Sequence, residues 1–421
     1  MWFYADEATR ALITGDRPIV YLYGGFEGFD NFGDILQLKS TIAFHRQRTG
    51  RAPVVVLSMA AWTAAGLQDS LANEFDADGF IFEDGELLDA SSVGLAPITE
   101  VTAGALLHVY GGGYFNRFWG ARRAYVCEQL MFRLRTNEYV VSGVQVDSEG
   151  TEHLARLFAL KAPLAIGARD KPSVELLAAV TDAVVHLTFD DAIETIDALR
   201  DRIAAFGGTE HHGPRSFGLH MNTTAEYMSP DQGEVVTGTV ATVRSREPHL
   251  NPVLLQAYND RRHVIVDTIE TAQQLGTLFL EPEYRVINLA AIAADPHWSD
   301  STIRRLVFAL AGIDFVISSS YHVSLAMTAL GIPSYLVSSN DFYAAKREAL
   351  SLPLTLDAFL ADPRTTLQDY AVERRQRVDW LDLLATTIDT AESLSWTEPS
   401  VVSNPPESVP TASVAERYAI P

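Results

Sequence analysis

The stretch Asp314-Phe-Val-Ile-Ser-Ser-Ser-Tyr-His322, continued by Val323 to Leu330 and then by Gly331-Ile-Pro333-Ser-Tyr-Leu-Val337, decides the fold. Phe315 to Ile317 is a short apolar run of the buried-strand kind. Ser318, Ser319 and Ser320 form turns readily and suit the cap of a following helix. Val323 to Leu330 is apolar enough for a buried helix, Gly331 stands where a helix stops, and Ser334 to Val337 reads as the next strand. Strand, polar turn, helix, Gly-Pro turn and strand make one βαβ unit of a parallel sheet. His322 then falls at a helix N-terminus beside the carboxyl end of a strand. Open α/β sheets gather ligands there, and free N–H groups favour anions there. Taken alone, His322 equally fits a satisfied histidine beside a core helix.

Working outward, the same unit recurs towards the N-terminus. Pro18 to Tyr23 is a buried-strand run that leads into Gly24-Gly-Phe-Glu-Gly-Phe-Asp-Asn-Phe-Gly33-Asp34 and a helix through about Arg48. Pro53 to Leu57 is the next strand. Ala105 to Tyr110 is another, ending in Gly111-Gly-Gly113, with a helix expected from about Tyr114 to Arg135. Tyr139 to Val144, Pro163 to Gly167 and Ala183 to Leu187 read as strands, and Ala192 to Ala205 as a helix. The polar, turn-rich Phe206-Gly-Gly-Thr-Glu-His-His-Gly-Pro214 interrupts the pattern. Beyond it the alternation restarts, with strands at Ser216 to Met221, His263 to Asp267 and Tyr284 to Ile287 and helices at Ser299 to Ala311 and Phe342 to Leu350. The expectation is an α/β fold of two Rossmann-like domains, residues 1–205 and 206–366, facing a cleft. A long helix within residues 367–395 is expected to pack back across both halves. Residues 396–421, rich in Pro, Ser and Val, are expected to form a flexible tail.

The length of 421 residues exceeds one ordinary domain, in keeping with two halves. The net charge of −22 argues against nucleic acid or an anionic membrane surface as the main partner. A local basic pocket for a small anion remains compatible with it. The single cysteine, Cys127, rules out an intramolecular disulfide and a cysteine metal site; it lies in the apolar helical pattern Tyr125-Val-Cys-Glu-Gln-Leu and is expected in the core. The first residues are acidic and lack the basic start of a signal peptide, and no apolar stretch approaches ~20 residues. These features predict a cytoplasmic protein without a transmembrane segment, able to meet a lipid-linked substrate only by peripheral contact.

Four places carry candidate chemistry. In the loop Gly24 to Asp34, glycines allow close approach of backbone to a ligand, and Asp34 suits the start of a helix. The loop lacks the lysine of a P-loop and the exact G-x-G-x-x-G spacing, and Asn31 and Asp34 also fit turn and cap chemistry. Gly111, Gly112 and Gly113, followed by Tyr114-Phe-Asn116, offer bare backbone after a strand, or a tight turn. In Gly167-Ala-Arg169-Asp170-Lys-Pro-Ser173, Arg169 is a planar cation suited to a carboxylate or phosphate, or else a surface partner of Asp170. The fourth is the opening stretch, with Lys346 and Arg347 downstream in Asp341-Phe-Tyr-Ala-Ala-Lys-Arg-Glu as added positive charge or as a solvated helix face. No His-x-x-x-His or carboxylate cluster has metal spacing, His211 and His212 are adjacent and poorly placed for one metal, and there is no Gly-x-Ser-x-Gly elbow.

These four places, in this order, resemble the polysaccharide pyruvyl transferase family. Asn31-Phe-Gly-Asp34 is similar to the family's early Asn-x-Gly-Asp, Gly111-Gly-Gly113 to its glycine triplet, and Arg169-Asp170 with Ser173 to its Arg-Asp-x-x-Ser. His322 with Ala326 and Gly331-Ile-Pro333 is similar to its late histidine, helix and Gly-x-Pro element. The resemblance spans roughly residues 18 to 345. One position departs: the family's Arg-x-His is here Ser320-Tyr321-His322.

The resemblance implies a GT-B-like fold and transfer of the enolpyruvyl group of phosphoenolpyruvate to a hexose of a cell-surface or exopolysaccharide precursor, forming a pyruvate ketal. No cofactor or metal is implied; the partners are phosphoenolpyruvate and a saccharide acceptor. His322 and Arg169 are the expected catalytic residues, with Asn31, Gly33, Asp34, the three glycines 111–113, Ser320, Tyr321 and Lys346 expected around the substrates. Tyr114, Phe115 or Trp119 would stack on a sugar ring. Two other readings share the fold. One is a GT-B glycosyltransferase using a nucleotide sugar. The other is a non-catalytic carbohydrate-binding homologue, which Ser320 in place of arginine favours.

Overall fold

The computed structural model describes residues 2–24, 31–58, 74–83, 94–102, 104–136, 138–206, 215–221, 232–258, 285–337 and 341–391. Gly25 and Gly28, the interrupting segment with His211 and His212, the strand expected at His263 to Asp267, and the tail lie outside these residues.

Two sheets organise the described chain. The first, in the order β5-β1-β4-β3-β2-β6-β7-β8-β9, contains β1 (Phe3–Ala5), β2 (Ile19–Tyr23), β3 (Ala52–Ser58), β4 (Gly79–Glu83), β5 (Ala96–Pro97), β6 (Leu106–Tyr110), β7 (Glu138–Val144), β8 (Ala165–Ala168) and β9 (Val185–Leu187). From β4 to β9 every pairing is parallel, while β1 pairs antiparallel with β4 and β5. All residues of β2 and β6 are buried, as expected of parallel strands covered on both faces. The second sheet, β12-β11-β10-β13-β14, is parallel throughout: β10 (Ser216–His220), β11 (Asn251–Gln256), β12 (Arg285–Asn288), β13 (Ile313–Ser318) and β14 (Ser334–Leu336).

Strand order fixes where a ligand belongs. In the first sheet the chain winds one way from β2 through β3 and the other way from β6 through β7, so the connections leaving β2 and β6 diverge. In the second sheet they diverge between β10 and β13. A crevice opens at such a switch point, beyond the strand carboxyl ends. The loop ending at Asn31 follows β2, the glycine triplet follows β6, and Ser319 to His322 follow β13.

An apolar cluster runs through both halves. It joins Leu36 of the helix Phe32–Phe44 and Ile196 of the helix Ile193–Ala205 to Val323 and Leu325 of the helix Tyr321–Ala329. Polar links join them too: Phe32 N–H donates to Ala257 carbonyl at 2.8 Å, and Asn31 Nδ2 donates to Tyr258 hydroxyl at 2.7 Å. The helix Ala371–Ala391 returns to the first half. Its Trp380 contacts the ring of His186, Arg374 pairs with Asp197, and Arg48 pairs with Asp382.

The helix expected from Tyr114 begins at Gly120 instead. Asn116, fully buried, turns its Oδ1 onto the N–H groups of Phe118 and Trp119 at 2.8 and 3.0 Å, holding this segment as a turn. Phe115 is only 2% exposed in the core, so the expectation that it stacks on a sugar is corrected. Cys127 lies buried, as its pattern predicts.

Candidate active site

His322 sits in the first turn of its helix because Ser320 caps that helix, its hydroxyl accepting from Val323 N–H at 3.4 Å. Ser320 is itself fixed by Ser318, whose Oγ accepts its N–H at 2.9 Å. Where the resemblance calls for a cation, this chain has a helix cap.

His322 Nε2 lies 3.3 Å from Oδ2 of Asp190, which follows β9 in the other half. Nε2 donates to that carboxylate, which leaves Nδ1 as the ring's other nitrogen for a proton or a lone pair. Nδ1 faces Gly33: a Cβ there would lie 2.0 Å away, so only glycine lets the helix Phe32–Phe44 approach the ring. Gly33 N–H is in turn held at 2.9 Å by Asn31 Oδ1, the cap of that helix.

Asp190 is fully buried and is the hub of the site. It accepts from Gln37 Nε2 at 3.2 Å, from Arg169 at 3.2 Å and from Ala192 N–H at 2.8 Å. Burial by itself would raise its carboxyl, but His322 and Arg169, with the Ala192 N–H, hold it far below the usual carboxylate range. Arg169 is buried, not a surface residue. Its guanidinium also bonds Gln145, and its Cζ lies 4.1 Å from the Tyr321 ring centroid. Asp170 caps the helix Lys171–Ala178 through Ser173 N–H at 2.8 Å, and Ser173 Oγ accepts from Val146 N–H at 3.1 Å. The Arg-Asp-x-x-Ser pattern thus combines one site cation with two residues that set its loop.

Asp34, on the turn after Gly33, accepts a hydrogen bond from the Tyr114 hydroxyl. Burial raises its carboxyl above the ordinary value, against the pull of Tyr114, His322, Arg123 and Lys346. Lys346, on the helix Asp341–Ala349, is lowered to about 7, chiefly by burial and then by Arg169, with Asp34 and Asp190 working the other way. Expected residues from three separate stretches therefore share one electrostatic environment.

The glycine triplet has a different task. Gly111 (φ +57°) and Gly112 (φ +75°) adopt left-handed backbone, and a Cβ on Gly112 would strike the Tyr114 ring at 2.0 Å. Gly111 N–H donates to Asp191 Oδ2 at 2.8 Å, Gln145 N–H donates to Gly112 carbonyl at 3.0 Å, and Asn116 Nδ2 donates to Gly113 carbonyl at 2.5 Å. The triplet holds Tyr114 over Asp34 and anchors the Asp190-Asp191 turn.

A family model described as polysaccharide pyruvyl transferase matches residues 31–341. The chain belongs to the polysaccharide pyruvyl transferase family. It is thereby a member of a family of transferases. No curated protein matches it significantly.

Among solved structures, UDP-N-acetylglucosamine 2-epimerase from Rickettsia bellii superposes with a TM-score of 0.51 at 11% identity, over 91% of this chain and 100% of that one. A Staphylococcus aureus MnaA–UDP co-structure gives 0.49 at 14% identity, over 89% and 98%. Acinetobacter baumannii MurG gives 0.39 at 13%, over 89% and 99%. At 11% identity the Rickettsia bellii likeness concerns the fold alone, an α/β fold of the GT-B-like kind.

Sequence reading of this pyruvyl transferase family member missed Asp190, Gln37 and Gln145. A signal existed for two of them, since Gln145 immediately follows β7 and Asp190 follows β9, both at strand carboxyl ends. Gln37 lies one helical turn beyond Asp34, on the same face. Among the described residues no helix is long and apolar enough to cross a membrane, and no cluster of His, Cys, Asp and Glu is arranged to hold a metal ion.

Proposed function

We propose that this protein transfers the enolpyruvyl group of phosphoenolpyruvate to two hydroxyls of a hexose unit, forming a cyclic pyruvate ketal and releasing phosphate. The observation that carries the reading is the His322–Asp190 pair, 3.3 Å apart across the two halves and bordered by Arg169, Lys346 and Asp34. A small polyanion meets cations here in an otherwise acidic protein, and an oriented imidazole stands beside a carboxyl.

The chemistry needs proton movement in both directions. A proton added to the methylene carbon of phosphoenolpyruvate leaves an electron-poor C2. A first sugar hydroxyl adds to C2 and gives up its proton; the C2–O–phosphate bond then breaks and phosphate leaves. A second hydroxyl adds to the resulting oxocarbenium carbon and loses its proton, closing the ketal. His322, held by Asp190, serves as the acid or base, a role suited to imidazole. Lys346 supplies charge for the donor where Ser320 replaces the family's arginine.

Incubation of purified protein with phosphoenolpyruvate and a panel of galactosides, glucosides and N-acetylhexosaminides tests this directly. Acceptor-dependent phosphate release with a ketal product is expected. Neither product across the panel overturns the reading.

A further inference from the structure

The helix Gly120–Arg133 buries Val126, Cys127, Leu130 and Met131, and its opposite face sets two large aromatic rings among charged side chains. Tyr125 is 47% exposed and Phe132 70% exposed. They are seven residues apart, so they lie on nearly one line, about 10 Å apart along the axis. Phe118, in the turn just before the helix, is also exposed, and Trp2 meets the far end of the helix, with Arg133 over its ring at 5.1 Å. Two large aromatic rings exposed on the outer face of a surface helix are unusual.

Along this segment the balance of charge reverses that of the whole protein. Arg117, Arg122, Arg133 and Arg135 are exposed beside them, against the single exposed acid Glu128 between residues 117 and 135, in a chain of net charge −22. Arg117 lies over the Phe118 ring at 4.7 Å, and Arg122 reaches Glu83 at 3.2 Å. Glu149 and Glu152 on the adjoining helix Ser148–Leu160 mark the acidic border.

We propose that this face docks the protein on an anionic phospholipid surface. Aromatic rings flanked by arginines match the lipid–water interface, where amphipathic rings settle at headgroup depth and basic groups meet anionic headgroups. The net charge of −22 argues against a membrane as the protein's main partner, but at physiological salt charges beyond a Debye length of about 8 Å are screened, so contact at this one face is governed by its local arginines. The face begins at Phe118, four residues beyond the Tyr114 that bonds Asp34. Docking there holds the cleft mouth beside the membrane, where a lipid-linked saccharide would be within reach. Docking does not depend on the proposed reaction, so vesicle binding and phosphate release fail independently.

Co-sedimentation of the full chain with phosphatidylcholine vesicles, and with vesicles carrying roughly one third phosphatidylglycerol, tests this. Binding to the anionic vesicles, falling with added salt, is expected. The double variant Tyr125→Ser/Phe132→Ser should lose at least about tenfold in partitioning, and Arg133→Glu should abolish the preference for anionic lipid. Both variants should keep the wild-type circular dichroism and thermal transition. Equal sedimentation of wild type and variants, or of wild type with both vesicle types, overturns the proposal. So does a lipid-free dimer, seen by analytical ultracentrifugation, that the double variant disperses, because the face would then pair two copies of this chain.

Discussion

His322 Nε2 and Asp190 Oδ2 meet at 3.3 Å although 132 residues of chain separate them and each belongs to a different half of the fold. The pair exists only when the two halves face each other correctly. Asp190 also binds Arg169 and Gln37, so one carboxylate sets the histidine's tautomer, balances a buried cation and joins two helices. Tautomer and interdomain geometry are thereby coupled through a single side chain.

Asp190→Asn keeps the shape but removes the charge. Arg169 then keeps only Asp170, 3.9 Å away, as a buried counter-charge, and removing one buried partner costs up to about 3–5 kcal/mol. The amide also ceases to enforce Nε2–H on His322. Transferase activity should fall by at least about 10²-fold, and the unfolding midpoint in urea should drop. The sign of the pH effect follows from the depressed carboxyl. Its contribution is present above the ordinary carboxylate range and is lost as pH falls towards the folded value, so the variant's acid limb should be shallower than the wild type's. Identical acid limbs would remove Asp190 from this role.

Gly33→Ala isolates a steric requirement. Helix propensity alone favours alanine over glycine by about 1 kcal/mol. The new methyl, however, would be built 2.0 Å from His322 Nδ1, so the ring or the helix must move. A displacement of the order of 1 Å is enough for about 10²-fold in rate. A folded protein with strongly reduced kcat is the expected outcome, read by circular dichroism alongside phosphate release. Wild-type kcat would show that Nδ1 is not the working atom.

The sheets could be read from the sequence because buried parallel strands are continuous apolar runs, as in Val54-Val-Val56 and Leu106 to Tyr110. His322, Gly33 and the triplet were legible because strand-to-helix turns place them at carboxyl ends. The two-residue β5 and three-residue β1 escaped because so short a piece has no periodicity to detect. Asp190 escaped for another reason. It follows a strand of only three half-buried residues, and nothing local separates a carboxylate that binds a distant histidine from one that merely caps a turn. The engagement of Arg169 with Gln145, Asp190 and Tyr321 is likewise a tertiary fact without a sequence period.

Lys346 should set a pH limb in donor binding. Its ammonium is lowered to about 7, so its charge fades as pH rises through neutrality. Affinity for phosphoenolpyruvate, measured by calorimetry from about pH 6 to about pH 9, should weaken through that window. Lys346→Arg, permanently charged, should flatten the profile, and Lys346→Met should lower affinity throughout. In the ligand-free protein the sign is opposite. Between about 7 and the ordinary lysine value the unfolded chain binds the extra proton, so this group's contribution to stability rises with pH. Lys346→Met should therefore raise the thermal midpoint at neutral pH while weakening the donor. A variant that lowers both would identify Lys346 as a structural residue.

Arg377, from the returning helix, ends at the same turn. It bonds Asp191 and reaches Glu194 at 2.8 Å, while Asp191 accepts from Ser142 Oγ at 2.8 Å and from Gly111 N–H. Burial raises both carboxyls, and Arg377 pulls both down. Arg377→Ala leaves the buried Asp191 without its cation and the part-exposed Glu194 without its ion pair, and the loss at Asp191 should cost about 3–5 kcal/mol at neutral pH. The deficit should shrink on acidification, because a carboxyl with a raised folded value stabilises the fold while protonated and loses that contribution as pH rises through it. Urea unfolding of wild type and variant at several pH values from about 5 to about 8 reads this directly. A deficit that grows on acidification would mean that the carboxylates, not the missing cation, dominate this turn. Since Asp191 holds Gly111 and adjoins Asp190, the variant should also lose activity under conditions where it remains folded.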